Sequence, residues 1–403
     1  MLNLKVSTLP LLTALIILEI LAIPQAQSYR YDPSTLQKVW EYLREESEAT
    51  FWKLDFSPDG SMVAAVFFDN TCVILNSSDG RVLKKVDLNG VGVEETRCDG
   101  FSPPGTNPLR ACCFSPDGRI LAVGGDDRIV VLLNTTTWGV ERILRGHTGS
   151  ILCLDFSPDG RYLASGSGTD KVIPQNSGEN VTRIWEVGSG KEVMVLKGHE
   201  DGVLAVKWSN RGDRIATASD DRRVRVWSFP EGKLLLNSTG HTSGVLDLDW
   251  SPDDTRIVTG SRDYKVKVWN STTGEVIATW PDYNCVRSVD YHPSGDLVAT
   301  SGVDLTLKIR DAGTGAELKR IKDGMRYHGM VMCSRWSPDG LSIASGLGKS
   351  HMVILYRFRE GGRSTSAGGS TSPLPYIILA AISLAFLAAL YRPVIKEIRR
   401  RRG

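Results

Sequence analysis

Between residues 51 and 360, short apolar runs alternate with polar positions at a period of two, the signature of half-buried strands rather than helices. Ile151-Leu-Cys-Leu-Asp-Phe156 is one such run, and Tyr162-Leu-Ala-Ser165 is the next. Between them stands Ser-Pro-Asp-Gly, where proline presets φ and glycine supplies the conformation that reverses the chain. The phrase recurs as Phe56-Ser-Pro-Asp-Gly60, Phe114-Ser-Pro-Asp-Gly118 and Phe156-Ser-Pro-Asp-Gly160. Weaker copies are Trp208-Ser-Asn-Arg-Gly212, Trp250-Ser-Pro-Asp-Asp254 and Tyr291-His-Pro-Ser-Gly295, and Trp336-Ser-Pro-Asp-Gly340 ends the series. The spacings are 58, 42, 52, 42, 41 and 45 residues. A period of this length is one four-stranded sheet, which cannot bury both faces alone and must stack on its neighbours. The pattern predicts an all-β chain of seven such blades.

Three units open on Gly146-His147, Gly198-His199 and Gly240-His241, and close on Ile184-Trp185, Val226-Trp227 and Val268-Trp269. With the seven turns, residues 38–360 resemble the WD-repeat β-propeller family. The resemblance implies a seven-bladed β-propeller and, inside each blade, a hydrogen-bonded chain of His, Ser/Thr, Asp and Trp. The matching positions are His199, Thr217, Asp221 and Trp227, and again His241, Thr259, Asp263 and Trp269. A third set, His147, Ser165 and Trp185, has its aspartate position displaced by an insertion. Elsewhere the Trp position is Leu75, Leu133, Arg310 or Tyr356, so those blades are expected to rest on packing, although Asp69, Asp127 and Asp304 persist. No fourth strand follows Tyr356. Aligning Phe51–Phe56 with Ile151–Phe156 places Lys38-Val-Trp-Glu-Tyr-Leu43 in the missing outer position, as in the family. A short helix over Leu36–Glu48 is the competing reading, on its Leu, Glu and Arg content.

Two apolar segments flank the repeats. A lysine near the start, an apolar run from Val6 to Ile23 and Ala26-Gln27-Ser28 read as a secretory signal peptide over 1–28, or as an uncleaved signal anchor. Residues 29–360 are then the propeller, and 361–375 form a Gly/Ser/Thr-rich flexible linker. Tyr376–Tyr391 is sixteen uncharged residues, roughly 24 Å of helix at 1.5 Å per residue. That falls short of a ~30 Å hydrocarbon core. Flanking Leu374 and Pro375 extend it, and Arg392 can snorkel. We read 376–391 as one transmembrane helix, with an interfacial helix as the alternative.

Charge gives this arrangement a direction. The chain's net +2 hides six cations, Arg392, Lys396 and Arg399–Arg402, against Glu397 in residues 392–403. The positive-inside bias places that basic tail in the cytoplasm and the propeller outside it. The rest of the chain is mildly acidic, at −3 (2 minus 5). It therefore lacks the basic surface a nucleic-acid partner requires.

Candidate chemistry is sparse. There is no Gly-x-Ser-x-Gly, phosphate loop or Cys-x-x-Cys. Of six histidines, three belong to Gly-His pairs, His328 looks like a variant of them, His292 replaces a turn serine and His351 is assigned to a strand. None has metal-ligand spacing. No catalytic, cofactor or metal site is expected. Asp126-Asp127 and Asp220-Asp221 fall at turns where the fold wants Asp, and Arg222, Arg223 and Arg225 read as charges on a solvated strand. Innermost strands such as Val203–Trp208 offer few of the acids an enzyme would need. Cys153 and Cys333 sit in apolar runs. A bridge from Cys98 to Cys112 or Cys113 is a candidate outside the cytosol, with buried thiols as the alternative. Sequons occur at Asn76, Asn134, Asn180, Asn237 and Asn270; the first, second and last also begin turns.

Two overlong connections point to a working face. Residues 86–110 lengthen the link from blade 1 to blade 2, and 168–179 lengthen the second turn of blade 3. By the family's strand order both open on one rim, and the Ser-Pro-Asp-Gly turns lie on the other. Loops added to one face of a rigid repeat scaffold tend to carry its function, neutral loop growth being the alternative. The expectation is a non-catalytic, membrane-anchored scaffold binding a protein or ligand on that rim. The alternatives are an endoplasmic-reticulum-type exchange factor with a cytosolic propeller and a secreted propeller enzyme.

Overall fold

The computed structural model describes residues 31–44, 49–91, 108–168, 178–322 and 329–359, all within one compact unit, Tyr31–Gly362. Among them every regular element is a strand, apart from a 3-10 turn over Pro33–Thr35. The strands form seven four-stranded sheets, and in six of these the order follows the chain. Strands are lettered a to d within each blade, outward from the centre. The a strands are Phe51–Phe56, Leu109–Phe114, Ser150–Phe156, Val203–Trp208, Val245–Trp250, Val286–Tyr291 and Val331–Trp336. Each lies beside the next, and the last contacts the first, so the circle closes.

The seventh sheet takes its outer strand from the other end of the unit. Leu36–Leu43 pairs antiparallel with Met352–Phe358, from Leu36 opposite Phe358 to Leu43 opposite Met352. The expected N-terminal closure is therefore present, and residues 36–43 are not helical. Tertiary pairing overrides propensity here. A helix would leave the edge of Met352–Phe358 with unmet backbone groups and would strip Trp40 of its cover.

Blades are joined by small residues and by turns. A β-carbon on Gly346 would lie 2.0 Å from the Phe51 ring, so only glycine lets blade 1 dock on blade 7 there. On one rim Pro58 packs against Gly118, Pro116 against Gly160, Pro158 against Gly212 and Pro252 against Gly295. One junction lacks both residues. There Asp254, at φ 60°, accepts from the amides of Asn210 (2.8 Å) and Arg211 (3.0 Å), replacing packing with hydrogen bonds.

Tyr31 and Phe358, near the two ends of the described residues, meet at this same rim. Tyr31 stacks on Phe358 at 5.2 Å and meets the His292 ring edge-on at 5.1 Å. His351 lies in the turn before Met352–Phe358, not on a strand, at φ 52°. No helix among the described residues is long and apolar enough to cross a membrane. The segments 1–28 and 376–391, read above as signal and transmembrane helix, lie outside those residues, as do Cys98 and His328.

Candidate binding face and the polar sets behind it

The family-type hydrogen-bond chains are assembled as the resemblance implied. In blade 4 the Trp227 indole donates to Thr217 Oγ1 (3.0 Å), the threonine pairs with His199 Nε2 (2.8 Å), and His199 Nδ1 with Asp221 (2.8 Å). Blade 5 repeats it through Trp269, Thr259, His241 and Asp263 at 2.8, 2.8 and 2.9 Å. Each chain ties the turn between strands b and c to the connection entering the blade. The insertion-bearing rim therefore stands on buried, saturated polar groups. Arg225 also bonds Asp221 at 2.8 Å and is buried, so it is not part of a solvated strand.

Blade 3 completes its chain with a residue not singled out from the sequence. Trp185 donates to Ser165 (2.7 Å), Ser165 pairs with His147 (2.7 Å), and His147 Nδ1 meets Glu179 at 3.1 Å. Arg183 clasps the same carboxylate at 3.0 and 2.7 Å. A usable signal was present. Asp221 and Asp263 stand six residues before their tryptophans, and six before Trp185 is Glu179. Replacing Glu179 by alanine leaves His147 Nδ1 without its acceptor and removes one of the two carboxylates on Arg183, and is expected to cost about 1–3 kcal/mol. Glu192→Ala, on the exposed side of Arg183, is expected to cost under about 1 kcal/mol. Equal losses in urea denaturation would remove the special role of Glu179.

The expectation that the remaining blades rest on packing is corrected in two of them. In blade 6 Arg310 replaces Trp and bonds Thr300 (3.2 Å) and Asp282 (2.9 Å), while Lys308 bridges Asp282 and Asp304. In blade 1 Arg44 holds Asp69 at 2.6 Å and Thr71 at 2.6 Å. Both solutions replace the histidine-centred chain by direct pairing of a cation with the carboxylate at the same corner of the blade.

The a strands share a second device. Each shifts register once near its start, from Phe51/Lys53 round to Val331/Cys333. A bulge of this kind leaves one residue outside the ladder and re-aims it. The seven are Trp52, Arg110, Leu152, Leu204, Leu246, Arg287 and Met332. All but Arg110 line one 50 Å³ recess at the channel mouth, on the rim that carries both insertions. Trp52 stacks on Phe68 at 4.9 Å, with the Arg110 and Arg287 guanidiniums over its ring at 5.0 and 5.4 Å. Arg110 ends the first insertion and pairs with buried Asp126, while Glu179 ends the second. The long connections are thus pinned at their bases. Residues 92–107 and 169–177 lie outside the described set.

Below the mouth the channel is richly charged, contrary to the expectation drawn from Val203–Trp208. Asp55, Asp155, Asp247, Asp249 and Asp290 lie on the a strands with Lys53, Lys207 and Arg335, and of these all but Asp249 and Asp290 line a 210 Å³ cavity. Four aspartates precede the turn aromatic, a position that could have been read. Asp55, Asp155, Asp249 and Asp290 each accept the amide of the next blade's turn aromatic, at 2.9, 2.7, 2.8 and 2.6 Å. They clip blade to blade. Among the described residues no group of acids, histidines and cysteines could hold a metal ion.

Burial raises Asp55 and Asp249 above the usual carboxylate value and lifts Asp290 to about 7. Asp247 is held at about 2: burial opposes this, but Arg335 and Lys53 outweigh it. Asp263 lies at about 2 through His241 and the Thr242 amide, again against burial. Burial depresses His147 and His199. These terms differ in sign. The histidines contribute stability that is full above pH ~6.5 and is lost below it. The raised aspartates favour the folded state at low pH, a gain lost as pH climbs toward 7. Asp247 and Asp263 lose theirs only below pH ~4. Melting temperature should change little between pH 7 and 4 and fall steeply below 4; a larger drop above pH 4 would contradict this.

The side-chain oxygens of Asn76, Asn134 and Asn270 accept turn amides at 2.8, 3.0 and 2.9 Å. Asn237 is exposed on an outer strand and Asn180 is half-buried. Cys112 and Cys113, the candidate partners of Cys98, are both free, buried thiols. Cys72, Cys153 and Cys333 are likewise buried and free.

Comparison with known proteins agrees with this geometry. The family model of the WD domain, G-beta repeat, matches residues 99–134, 138–173, 190–228, 232–270 and 274–311. That of the anaphase-promoting complex subunit 4 WD40 domain matches 25–94, and together they cover more than half the chain. The chain is 39% identical over 54 residues to the general transcriptional corepressor TUP1 of Saccharomyces cerevisiae, 13% of this chain and 8% of the relative. It is 30% identical over 92 residues to protein HIR1 of Candida albicans, covering 23% and 10%. Over 65 residues it is 38% identical to the serine-threonine kinase receptor-associated protein of Dictyostelium discoideum, covering 16% and 20%. The aligned stretches thus span a fifth or less of each of these relatives. With the family models, the seven-bladed ring and the His–Ser/Thr–acid–Trp chains all in agreement, the chain belongs to the WD-repeat β-propeller family.

Proposed function

We propose that this chain is a non-catalytic binding scaffold, displayed outside the cytoplasm on one C-terminal membrane anchor, that engages a partner protein through its insertion-bearing rim. The supporting observation is the division of labour between the rims. Six of the seven bulge residues line the channel mouth beside both insertions, while Tyr31 and Phe358, near the two ends of the described propeller, lie on the opposite rim. The names of two relatives, a corepressor and a receptor-associated protein, speak for protein engagement. The channel aspartates favour no enzyme, because each is already engaged with a backbone amide or a cation.

Protease treatment of intact cells tests the display, with the propeller and the tail tagged separately. The propeller tag should be digested and the tail tag protected. The reverse pattern would support a cytosolic propeller of the exchange-factor kind. A photo-crosslinking residue placed at Leu204 should trap a partner, and one at Pro158 on the other rim should not. Trapping at Pro158 alone would refute the choice of face.

A further inference from the structure

We propose that the cleft between blades 4 and 5, on the same rim, receives one cationic side chain, an arginine or lysine from an extended partner segment. This rests on the scaffold reading and specifies the chemistry of what is bound. The cleft has a volume of about 550 Å³ and is walled by two entering connections, Glu200–Asp201 and Thr242–Gly244, and by the turns bearing Asp220 and Arg262.

Its floor holds an acid that is incompletely satisfied. Asp220 is 3% exposed and its amide is tied to the Gly202 carbonyl at 3.0 Å. Arg262 binds Asp220 Oδ1 from across the cleft. Oδ2 is buried and has no hydrogen-bond partner among the described residues. Both oxygens of a carboxylate accept, so the missing partner must be a donor. Gly244 leaves room for this acid, since a β-carbon there would lie 1.8 Å from Asp220 Oδ1.

The surroundings favour a cation over any other donor. Glu200, Asp201 and Asp220 face the cleft against Arg222 and Arg262, and Asp221 is already spent on His199 and Arg225. One negative charge is left over, and Glu200 is exposed at the rim. Arg262 shows that the floor accepts a guanidinium, and its side chain is 20% exposed, so it can yield. The base of the second insertion abuts this wall, since a β-carbon on Gly168 would lie 2.3 Å from Gly202 Cα. A segment running past the insertion would bring its side chain to the cleft.

Arg262 is then a competitor for the ligand, which makes the two variants move in opposite directions. The probes are fluorescein-labelled Gly-Ser heptapeptides with a central Arg, Lys, Gln or Glu, titrated against the full-length protein by anisotropy. The Arg and Lys peptides should bind more tightly than the Gln peptide. Asp220→Asn should weaken them at least tenfold, and Arg262→Gln should strengthen them several-fold. Equal binding of the Arg and Gln peptides, or preference for the Glu peptide, would overturn the proposal. Should Asp220→Asn fail to fold, Arg262→Gln decides alone: a rise supports the cleft, no change or a fall sinks it. Trp52→Ala at the mouth should leave Arg-peptide affinity intact. Loss of partner trapping at Leu204 with that affinity intact separates a failure of the mouth from a failure of the cleft.

Discussion

Asp247→Ala is expected to lower stability by about 3–5 kcal/mol, the cost of leaving a buried charge without its partner. Arg335 and Asp247 are both nearly inaccessible, and the guanidinium meets the carboxylate at 3.0 and 3.3 Å. The same carboxylate accepts from the Ser288 hydroxyl (3.0 Å) and the Val289 amide (3.2 Å), and Lys53 lies 3.6 Å away. One aspartate thus links blades 1, 5, 6 and 7 across the channel. Asp290, 3.7 Å from Arg335, can compensate only in part. The urea midpoint should fall sharply. A loss under about 1 kcal/mol would mean that the Val289 and Ser334 carbonyls satisfy Arg335 by themselves. Replacing Asp247 and Arg335 together by leucine should recover much of the loss, because an apolar pair avoids the desolvation penalty.

Trp40→Ala should be comparably severe, at about 3–5 kcal/mol for an aromatic removed from a packed site. Its ring fills a cluster with Phe51, Leu75 and Leu355, and its indole donates to the Ser77 carbonyl at 3.0 Å. Trp40 sits on the closing strand but touches the neighbouring blade, where a β-carbon on Gly80 would come within 2.7 Å of the ring. Losing it weakens the closure itself. Hydrogen exchange should therefore quicken first at the amides of Met352–Phe358, which pair with that strand. Exposed Val39→Ala, on the same strand, should change stability by under about 0.5 kcal/mol. Uniform loss of protection over all blades after Trp40→Ala would show that the ring opens as one unit instead.

How much of this could be read beforehand depends on whether the signal was local. The seven turns were legible because Pro-Asp-Gly reverses a chain by its own dihedral preferences. His199, Thr217, Asp221 and Trp227 were legible through their spacing. Glu179 was hidden because the insertion lengthens its distance from His147, although its spacing to Trp185 is regular. The ion pairs of Arg44 and Arg310 escaped for another reason. They replace tryptophan chemistry with charge, and only proximity reveals which acid each cation meets. The channel aspartates were overlooked because one strand, Val203–Trp208, stood for all seven, and it carries Lys207 where four others carry Asp.

By itself the sequence determined the strand period, the number of blades and the family, because each follows from preferences repeated along the chain; strand or helix over residues 36–43 was decided only by pairing with Met352–Phe358. Tertiary structure alone decided which residues face the mouth. A bulge at the same place in every a strand turns Trp52, Leu204 and Arg287 toward one point. It also decided that Asp220 and Arg262, 42 residues apart, share a cleft. Such contacts belong to the stacking of blades, and blades stack through surfaces that no single repeat contains.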